Sequence, residues 1–385
     1  MRRKTWVIAV LSFFLLVLAS QAQWTTTKRL TWNSGMSSWP AVAVDSKGYY
    51  HLVWSDDTPG TNEIYYKKSL DGGTTWSANK RLTWTATGSH HPRIRVDSLG
   101  HLHVIWDDYT DSGYAEVFYR KSTDGGSTWT ASKRLTWNSG SSERPVIGID
   151  SSDRLHAVWQ DDTPGYPNSE IYYKRSTDGG STWSASERLT WTSDASLNPA
   201  LAIDSSDRLH LFWSDGPVLG AEIYYKKSWH NGATWSASQR LTWTSGDSSF
   251  PAVTVDPSGH IQLAWEEDIT TKLVIYYMKS PDGGAIWTKS KRINWTPGSA
   301  YKPALAADPS GNIHVVWSDD TPGHPDIYYE KSSDGGATWS AAQRITWTSG
   351  NSFRPAVVVD LSNSPVVVWD DYTPGNLEIY FKQGK

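Results

Sequence analysis

Short runs in which apolar and polar residues alternate recur along the whole chain, separated by turn-forming residues. In the first unit these runs are PAVAVD (40–45), HLVW (51–54), EIYYKK (63–68) and KRLTW (80–84). A period of two is typical of β-strands with one buried face, and clusters of Gly, Pro, Asp and Ser are typical of the turns between them. No stretch has a helical period. The pattern therefore predicts an all-β fold built from four-stranded antiparallel units.

The four-stranded unit recurs seven times. Successive units are 52 to 54 residues apart, measured between the first residues of the motif RLTW and its close variants. The motif begins at Arg29, Arg81, Arg134, Arg188, Arg240, Arg292 and Arg344. Four short strands repeated at this spacing are typical of the blades of a β-propeller. We therefore predict one seven-bladed β-propeller domain that occupies residues 23–385.

The two ends of the chain complement each other. The last unit stops at EIYFKQGK and lacks an outer strand, whereas residues 23–32, QWTTTKRLTW, form the end of a unit. We expect this N-terminal segment to complete the last blade by pairing with the strand that contains Ile379, Tyr380 and Phe381. Such a closure removes the free sheet edge, which would otherwise be open to pairing with other chains.

Residues 1–22 have the pattern of a secretory signal peptide. The basic MRRK is followed by the apolar WVIAVLSFFLLVLA and by SQA, which predicts cleavage near Ala22 and a secreted or periplasmic protein. No second apolar run of about 18 residues follows, so we expect no membrane span in the mature chain. The chain has no cysteine, a formal net charge of −4 and no long basic run, which argues against a nucleic-acid partner. We expect a monomer.

One turn recurs almost unchanged, as SLDGGTTW (69–76), STDGGSTW (122–129 and 176–183) and SSDGGATW (332–339). The pattern Ser-x-Asp-x-Gly-x-Thr-Trp resembles the Asp box, or bacterial neuraminidase repeat, of the sialidase-like superfamily. The resemblance extends over residues 23–385 and implies a β-propeller in which each box joins the third and outermost strands, away from the active site. An Asp carboxylate can accept N–H bonds across such a turn, and Gly supplies positive φ. We therefore expect the boxes to be structural.

A carboxylate stands two residues beyond the tryptophan of each second strand. These residues are Asp56, Asp108, Asp161, Asp215, Glu267, Asp319 and Asp371. One interpretation is that they accept hydrogen bonds within their own loops. The other is that they bind sugar hydroxyls or Ca²⁺, for which Asp56 and Asp108 are the candidates. Since no EF-hand-like spacing is present, we predict no metal or other cofactor and keep Ca²⁺ as an alternative.

The residue before the proline of each first strand varies. It is Trp39, His91, Arg144, Asn198, Phe250, Lys302 or Arg354. Aromatic faces pack against sugars and polar neighbours bind hydroxyl groups, so these positions could line a pocket mouth, or they could be a variable solvated loop. Arg93 and Arg95 replace small residues such as Ala41 and Ala43, and their charges need partners or water. We predict the ligand site at the channel mouth near blades 1 to 3, with Arg144 and Trp39 on its rim. The candidate ligand-binding residues are Arg93, Arg95, Arg144, Arg354, Trp39, Asp56 and Asp108.

Catalysis does not follow from the resemblance. Catalytic sialidases use an arginine triad, a Tyr–Glu nucleophile pair and an Asp acid, but the family's Arg two residues before the first-strand proline is missing from all seven units. The family's Arg after the second strand is missing as well. Three hypotheses remain: an exported, non-catalytic propeller that binds glycans or another extracellular partner through its top-face loops; an exo-acting, sialidase-like glycoside hydrolase; and a structural scaffold. Similar blades favour repeated binding or scaffolding, because catalysis needs one asymmetric constellation. No catalytic residue is assigned.

Overall fold

The computed structural model describes residues 23–109, 113–163, 165, 167–217 and 220–385. The predicted signal peptide, residues 1–22, lies outside the described residues. Within these ranges the chain forms 28 β-strands, arranged as seven four-stranded antiparallel sheets. The described part of the chain contains no helix that could cross a membrane. The predicted all-β, seven-bladed β-propeller is therefore confirmed.

The blades follow each other along the chain. Blade 1 consists of β2 (Ser37–Val44), β3 (Tyr50–Asp56), β4 (Glu63–Ser69) and β5 (Lys80–Arg81). Blade 2 consists of β6 (Ser89–Val96), β7 (Leu102–Tyr109), β8 (Ala115–Ser122) and β9 (Lys133–Arg134). Blade 3 consists of β10 (Ser142–Ile149), β11 (Leu155–Asp161), β12 (Glu170–Ser176) and β13 (Glu187–Arg188). Blade 4 consists of β14 (Ala195–Ile203), β15 (Leu209–Gly216), β16 (Glu222–Ser228) and β17 (Gln239–Arg240). Blade 5 consists of β18 (Ser248–Val255), β19 (Ile261–Asp268), β20 (Leu273–Ser280) and β21 (Lys291–Arg292). Blade 6 consists of β22 (Ala300–Ala307), β23 (Ile313–Asp319), β24 (Asp326–Ser332) and β25 (Gln343–Arg344). Blade 7 consists of β26 (Ser352–Val359), β27 (Pro365–Asp371), β28 (Glu378–Gln383) and the N-terminal β1 (Lys28–Arg29).

The N-terminal strand closes the ring. In the ladder between β1 and β28, Lys28 is paired with Phe381 and Arg29 with Tyr380. The N–H of Leu30 donates to the carbonyl of Ile379 at 2.7 Å. Leu30 is buried and packs with Phe381 and its neighbours in the core between blades 7 and 1. The predicted pairing of the chain ends is therefore confirmed.

The outer strands are shorter than the pattern KRLTW predicts, because only two residues of each pair with the third strand. In blade 1 the side chain of Thr83 replaces the backbone as the hydrogen-bond partner of β4 beyond the last backbone pair. Its hydroxyl accepts the N–H of Ile64 at 2.8 Å and donates to the carboxylate of Glu63. The chain then turns away, so that Trp84 is 66% exposed.

A tryptophan in each second strand forms the centre of its blade. Trp54 is fully buried, its ring centroid lies 5.8 Å from that of Tyr65, and its Nε1–H donates to Asp56 at 3.0 Å. Such aromatic stacks contribute to the core beyond the area that they bury. The equivalent stacked tryptophans are Trp106, Trp159, Trp213, Trp265, Trp317 and Trp369.

The strand register defines two faces. Asp56, at the end of β3, is paired both with Ser37 at the start of β2 and with Glu63 at the start of β4. The loops after the second strands and the starts of the inner strands therefore share one face, which we call the top face. The Asp boxes follow Ser69 and its equivalents, and Ser69 is paired with Tyr50 at the other end of the blade. The boxes lie on the opposite face.

Each intact Asp box is an internally bonded turn. Asp124 accepts the N–H of Thr128 at 2.8 Å, its hydroxyl at 2.6 Å and the hydroxyl of Ser122 at 2.8 Å. Gly126 has a φ of 84°, and a Cβ at this position would collide with the ring of Tyr66 in the preceding blade. The turn therefore fixes the hairpin and its contact with the neighbouring blade at the same time.

We expect Asp124→Ala to lower the melting temperature and to leave any ligand affinity unchanged. The hydrogen bonds from Thr128 hold the pKa of Asp124 below its ordinary value of 3.8. Because the folded-state pKa lies below the unfolded value, this stabilisation is complete above about pH 4 and is lost as the pH falls further. Thermal melts of wild type and variant at pH 7 and pH 3 test this, and the difference in melting temperature should shrink at pH 3.

The fourth box provides the reciprocal variant. His230 stands where the other five boxes have Asp, and its ring makes one 3.1 Å contact with the hydroxyl of Thr234. His230→Asp should restore the carboxylate and raise the melting temperature. A loss of ligand binding in Asp124→Ala without loss of stability would contradict the structural role of the boxes.

Candidate functional site

The residue before each first-strand proline lies at a β-bulge on the top face. In blade 1 the register between β2 and β3 shifts between Ser38 and Ala41. All seven of these residues have φ between 48° and 56°, although none is glycine. Left-handed backbone is costly for other residues and persists only where the surrounding structure enforces it. The seven residues are Trp39, His91, Arg144, Asn198, Phe250, Lys302 and Arg354.

Side chains of the preceding blade hold several of these bulges. Asp370 accepts the N–H of Trp39 at 3.0 Å, and Asp107 accepts that of Arg144 at 3.1 Å. Glu266 does the same for Lys302 at 2.9 Å, and Gln160 for Asn198 at 3.0 Å. The acceptor is always the residue directly after the buried tryptophan of a second strand. Our sequence interpretation missed these residues; the only signal is an acid or Gln where blades 1, 4 and 6 have Ser.

The seven bulge side chains converge at the mouth of the central channel. Lys302 Nζ lies 4.7 Å from the ring centroid of Trp39 and 5.1 Å from that of Phe250. The guanidinium of Arg354 lies 4.8 Å from Trp39, and that of Arg144 lies 5.8 Å from Trp39 and 5.7 Å from Phe250. The cavity that they line has a volume of about 280 Å³. Cations and aromatic faces from five blades thus meet in one pocket.

Arg93 and Arg95 line the same pocket deeper in the channel. Their hydrogen bonds go to backbone carbonyls of the same strand, at 3.0 Å and 3.2 Å. Neither forms an ion pair with a carboxylate among the described residues. Burial and then the neighbouring charges of Arg95 and Arg144 lower the pKa of Arg93 to about 10, and burial lowers the pKa of Arg95. The side chain of Arg95 is exposed to water inside the channel, but the channel wall surrounds it closely enough to lower its pKa.

The electrostatics of the mouth are dominated by cations. Burial, followed by the charges of Arg354 and Arg144, lowers the pKa of Lys302 to about 8. Asp370 partly offsets them, since it accepts the Nε–H of Arg354 at 2.6 Å, but burial raises the pKa of Asp370 to about 6. The residues that line the pocket include five Lys and Arg side chains and no Asp, Glu or Tyr among those the structure describes. This chemistry suits an anion.

The structure brings together five of the seven residues predicted from sequence, namely Trp39, Arg93, Arg95, Arg144 and Arg354. His91, Asn198, Phe250 and Lys302 complete the mouth; the sequence pattern placed them at the same position, but they were not among the predicted binding residues.

Asp56 and Asp108 do not line the pocket. Asp56 is 1% exposed and accepts hydrogen bonds from the hydroxyl of Ser37 at 2.7 Å and from the N–H of Thr58 at 3.0 Å. Asp108 accepts the hydroxyl of Ser89 at 2.6 Å, and burial raises its pKa to about 6. Asp56 thus holds its own loop, and Asp108 joins the first and second strands of blade 2. No group of three or more His, Asp or Glu in the described residues is arranged to hold a metal ion.

A second groove opens from the mouth over blades 6 and 7. It has a volume of about 510 Å³ and shares Lys302 and Arg354 with the central pocket. The aromatic rings of Tyr301, Phe353 and Tyr372 line its walls. The two cavities are therefore neighbours on the top face, with Lys302 and Arg354 between them.

The fold and the pocket define a seven-bladed β-propeller with a cationic mouth to its central channel. A family profile described as BNR repeat-like domain matches residues 191–368. The match covers a little under half of the chain, and the Asp boxes and the seven-bladed architecture are consistent with an Asp-box β-propeller of the sialidase-like kind. No curated protein sequence matches the chain.

Several solved structures share this fold. A protein of unknown function from Dyadobacter fermentans is 14% identical, with a TM-score of 0.62 over 94% of this chain and 99% of that one. A polysaccharide lyase, an ulvan lyase bound to -[GlcA(1-4)Rha3S]-, is 10% identical, with a TM-score of 0.66 over 91% and 94% of the two chains. A Hadza microbial sialidase is 16% identical, with a TM-score of 0.52 over 91% of this chain and 66% of the sialidase. Identities this low establish a shared fold only.

Proposed function

We propose that this protein is an exported, non-catalytic binding module that takes an acidic glycan into the channel mouth. The observation that carries the proposal is the pair Arg93 and Arg95, two guanidinium groups side by side on the channel wall that have no carboxylate partner among the described residues. Like charges held this close are unfavourable unless an anion offsets them. A carboxylate or sulfate group of a ligand would supply that anion.

The aromatic residues favour a sugar over a simple inorganic anion. Trp39 and Phe250 present ring faces in the pocket, and the groove over blades 6 and 7 adds Tyr301, Phe353 and Tyr372. Ring faces pack against the C–H groups of sugars, and a few polar groups fix the orientation. The groove of about 510 Å³ next to the pocket of about 280 Å³ offers room for more than one sugar unit. The ulvan lyase with its bound uronic-acid and sulfated sugar units offers a precedent on the same fold.

The pocket chemistry supports binding rather than hydrolysis. Glycoside hydrolases place two carboxyl groups about 5 to 9.5 Å apart around the scissile bond, or use a Tyr nucleophile. The described lining of the central pocket offers neither, since Tyr301 and Tyr372 lie in the groove over blades 6 and 7. The acids next to the pocket, Asp107, Glu266 and Asp370, are hydrogen-bonded to backbone N–H groups of the bulges. These acids act by holding the cations in place.

Titration of purified protein with matched oligosaccharides tests the proposal. Uronic-acid or sulfated oligosaccharides should bind, and neutral oligosaccharides of the same length should bind at least about tenfold more weakly. The affinity for acidic ligands should fall as salt is added. Equal affinity for neutral and acidic ligands would contradict the proposal. Release of reducing ends, or of the fluorophore from a fluorogenic sialoside, would support the hydrolase alternative instead.

Affinity for an acidic ligand should also depend on pH between 7 and 9. Lys302 has a pKa lowered to about 8, so its charge is lost as the pH rises through that value, whereas the arginines of the mouth stay charged. Anion affinity should therefore decrease across this window. Lys302→Arg should keep its charge and flatten the pH profile. An unchanged slope in Lys302→Arg would mean that another group controls it.

A further inference from the structure

An exposed tryptophan follows each outer strand and lies in the groove between that blade and the next. In the groove between blades 2 and 3, Trp137 is 67% exposed, and the guanidinium of Arg134 lies 5.8 Å from its ring centroid. Lys174, from the third strand of blade 3, lies 5.5 Å from the same centroid and donates to the carbonyl of Leu135. Two cations, one from each blade, thus lie against the ring of Trp137.

The second cation is a regular feature of the repeat. In five blades a Lys or Arg at the same third-strand position donates to the carbonyl two residues before the exposed tryptophan of the preceding blade. These residues are Lys67, Arg120, Lys174, Lys226 and Lys382. Blade 5 has Met278 and blade 6 has Glu330 at this position. The groove between blades 5 and 6 therefore has a carboxyl group where most others have an ammonium group.

Glu330 is buried in that groove and has no partner in the part of the chain that the structure describes. It is 2% exposed, and its Oε2 accepts no hydrogen bond from any described residue. No cation of the described residues forms an ion pair with it, and burial raises its pKa to about 8. Glu330 and Trp295 line a cavity of about 590 Å³, and Trp295 is 76% exposed. An unpartnered carboxyl group in a cavity is costly, and a ligand that pairs with it removes the cost.

Arg292 does not fill the position of the missing lysine. In the other six blades the equivalent arginine forms an ion pair with an acid at the start of the third strand, but blade 5 has Val274 there. Arg292 instead lies 4.6 Å from the ring centroid of Trp295. Two cations can share one such ring, since Arg81 and Arg120 lie 5.6 Å and 5.9 Å from that of Trp84. Of the two cation positions at the ring of Trp295, Arg292 therefore fills one, and no cation of the described residues fills the one that Arg120 has at Trp84.

We propose that the groove between blades 5 and 6 binds a primary ammonium group of a ligand, as carried by an amino sugar. The ammonium takes the place that a lysine occupies in the equivalent grooves. It donates to Glu330 and to the carbonyl of Ile293, and it lies against the face of Trp295. The sugar ring that carries it occupies the rest of the cavity. This site is separate from the channel mouth and does not depend on the function proposed for it.

Titration with glucosamine oligomers tests the site. These oligomers should bind, and N-acetylglucosamine oligomers of the same length, which have no ammonium group, should bind at least about tenfold more weakly. Glu330→Lys introduces the cation of the other blades and should abolish binding of the glucosamine oligomers, with an equal or higher melting temperature. Glu330→Gln removes the charge with little change in shape and should weaken binding at least about tenfold.

Matched variants separate this groove from the others and from the mouth. Trp295→Ala should lose affinity for glucosamine oligomers, whereas Trp137→Ala, in a groove that has its own lysine, should not. Arg93→Ala/Arg95→Ala should leave this binding unchanged. Equal binding of the N-acetylated oligomers, or full binding by a folded Glu330→Lys or Glu330→Gln variant, would overturn the proposal.

Discussion

Deletion of residues 23–33 is expected to lower the melting temperature by about 10 °C or more, or to produce a protein that aggregates. The segment contains β1, the only outer strand of blade 7 that the described structure contains. Without it, the backbone of β28 becomes a free sheet edge, and such edges pair with other chains. The apolar contacts of Ile379 and Phe381 with Leu30 are lost as well.

The size of this effect follows from two contacts. Glu378 is fully buried, and it accepts hydrogen bonds from Arg29 Nη2 at 2.7 Å and from the N–H of Asn33 at 3.0 Å. Removing the partners of a buried charge costs about 3–5 kcal/mol. Loss of the buried side chain of Leu30 adds about 1.5–3 kcal/mol. Together these are a large part of the 5–15 kcal/mol by which a typical domain is stable.

Thermal melts and light scattering measure the effect of the deletion. A synthetic peptide of residues 23–33, added in trans, should restore part of the lost stability because it supplies the same strand. Arg29→Ala and Arg81→Ala are the matched controls, since each removes one half-exposed arginine from an equivalent Arg–Glu pair. Both should have similar effects that are smaller than that of the deletion, because Glu378 keeps the N–H of Asn33 and Glu63 keeps that of Thr85. A deletion variant that stays monomeric and melts at the wild-type temperature would show that ring closure contributes little.

The architecture could be predicted from the sequence because it is repeated. Seven copies of RLTW or a close variant at nearly constant spacing fix the blade count, and the missing pieces at the two ends fix the closure. The two-residue length of the outer strands was not predicted, because the side chain of Thr83 and its equivalents replaces a backbone hydrogen bond there. Nothing in the alternation of apolar and polar residues distinguishes these two ways of satisfying the same N–H group.

The pocket could be predicted only in part. Positions that vary among otherwise similar blades pointed to Trp39, Arg144 and Arg354, and an unusual pair of charges pointed to Arg93 and Arg95. The supports of the mouth could not be found in this way. Asp370 holds the bulge of Trp39, which is 331 residues away in the chain and becomes a neighbour only when the ring closes. Contacts between blades follow from the closed ring, and no local pattern encodes them.

The largest expected effect on ligand binding is that of Arg93→Ala/Arg95→Ala. Each arginine makes one hydrogen bond to a neighbouring carbonyl and has no acidic partner in the described structure, so both guanidinium groups are free to bind an anion. A hydrogen bond to a charged group contributes about 1.5–3 kcal/mol, and every 1.4 kcal/mol is about tenfold in affinity. The double variant should therefore bind acidic glycans at least about tenfold more weakly.

The double variant should not be destabilised. Blade 1 has Ala41 and Ala43 at the equivalent positions, and removal of two adjacent like charges relieves repulsion, so the melting temperature should stay the same or rise. Arg120→Lys is the matched control, because it changes an arginine of the same blade, outside the pocket, to the residue found in other blades; it should leave glycan affinity unchanged. Calorimetric titration of the three proteins with one acidic glycan decides the matter. If the double variant folds and binds every acidic glycan of the wild type with unchanged affinity, these arginines are not part of the ligand site.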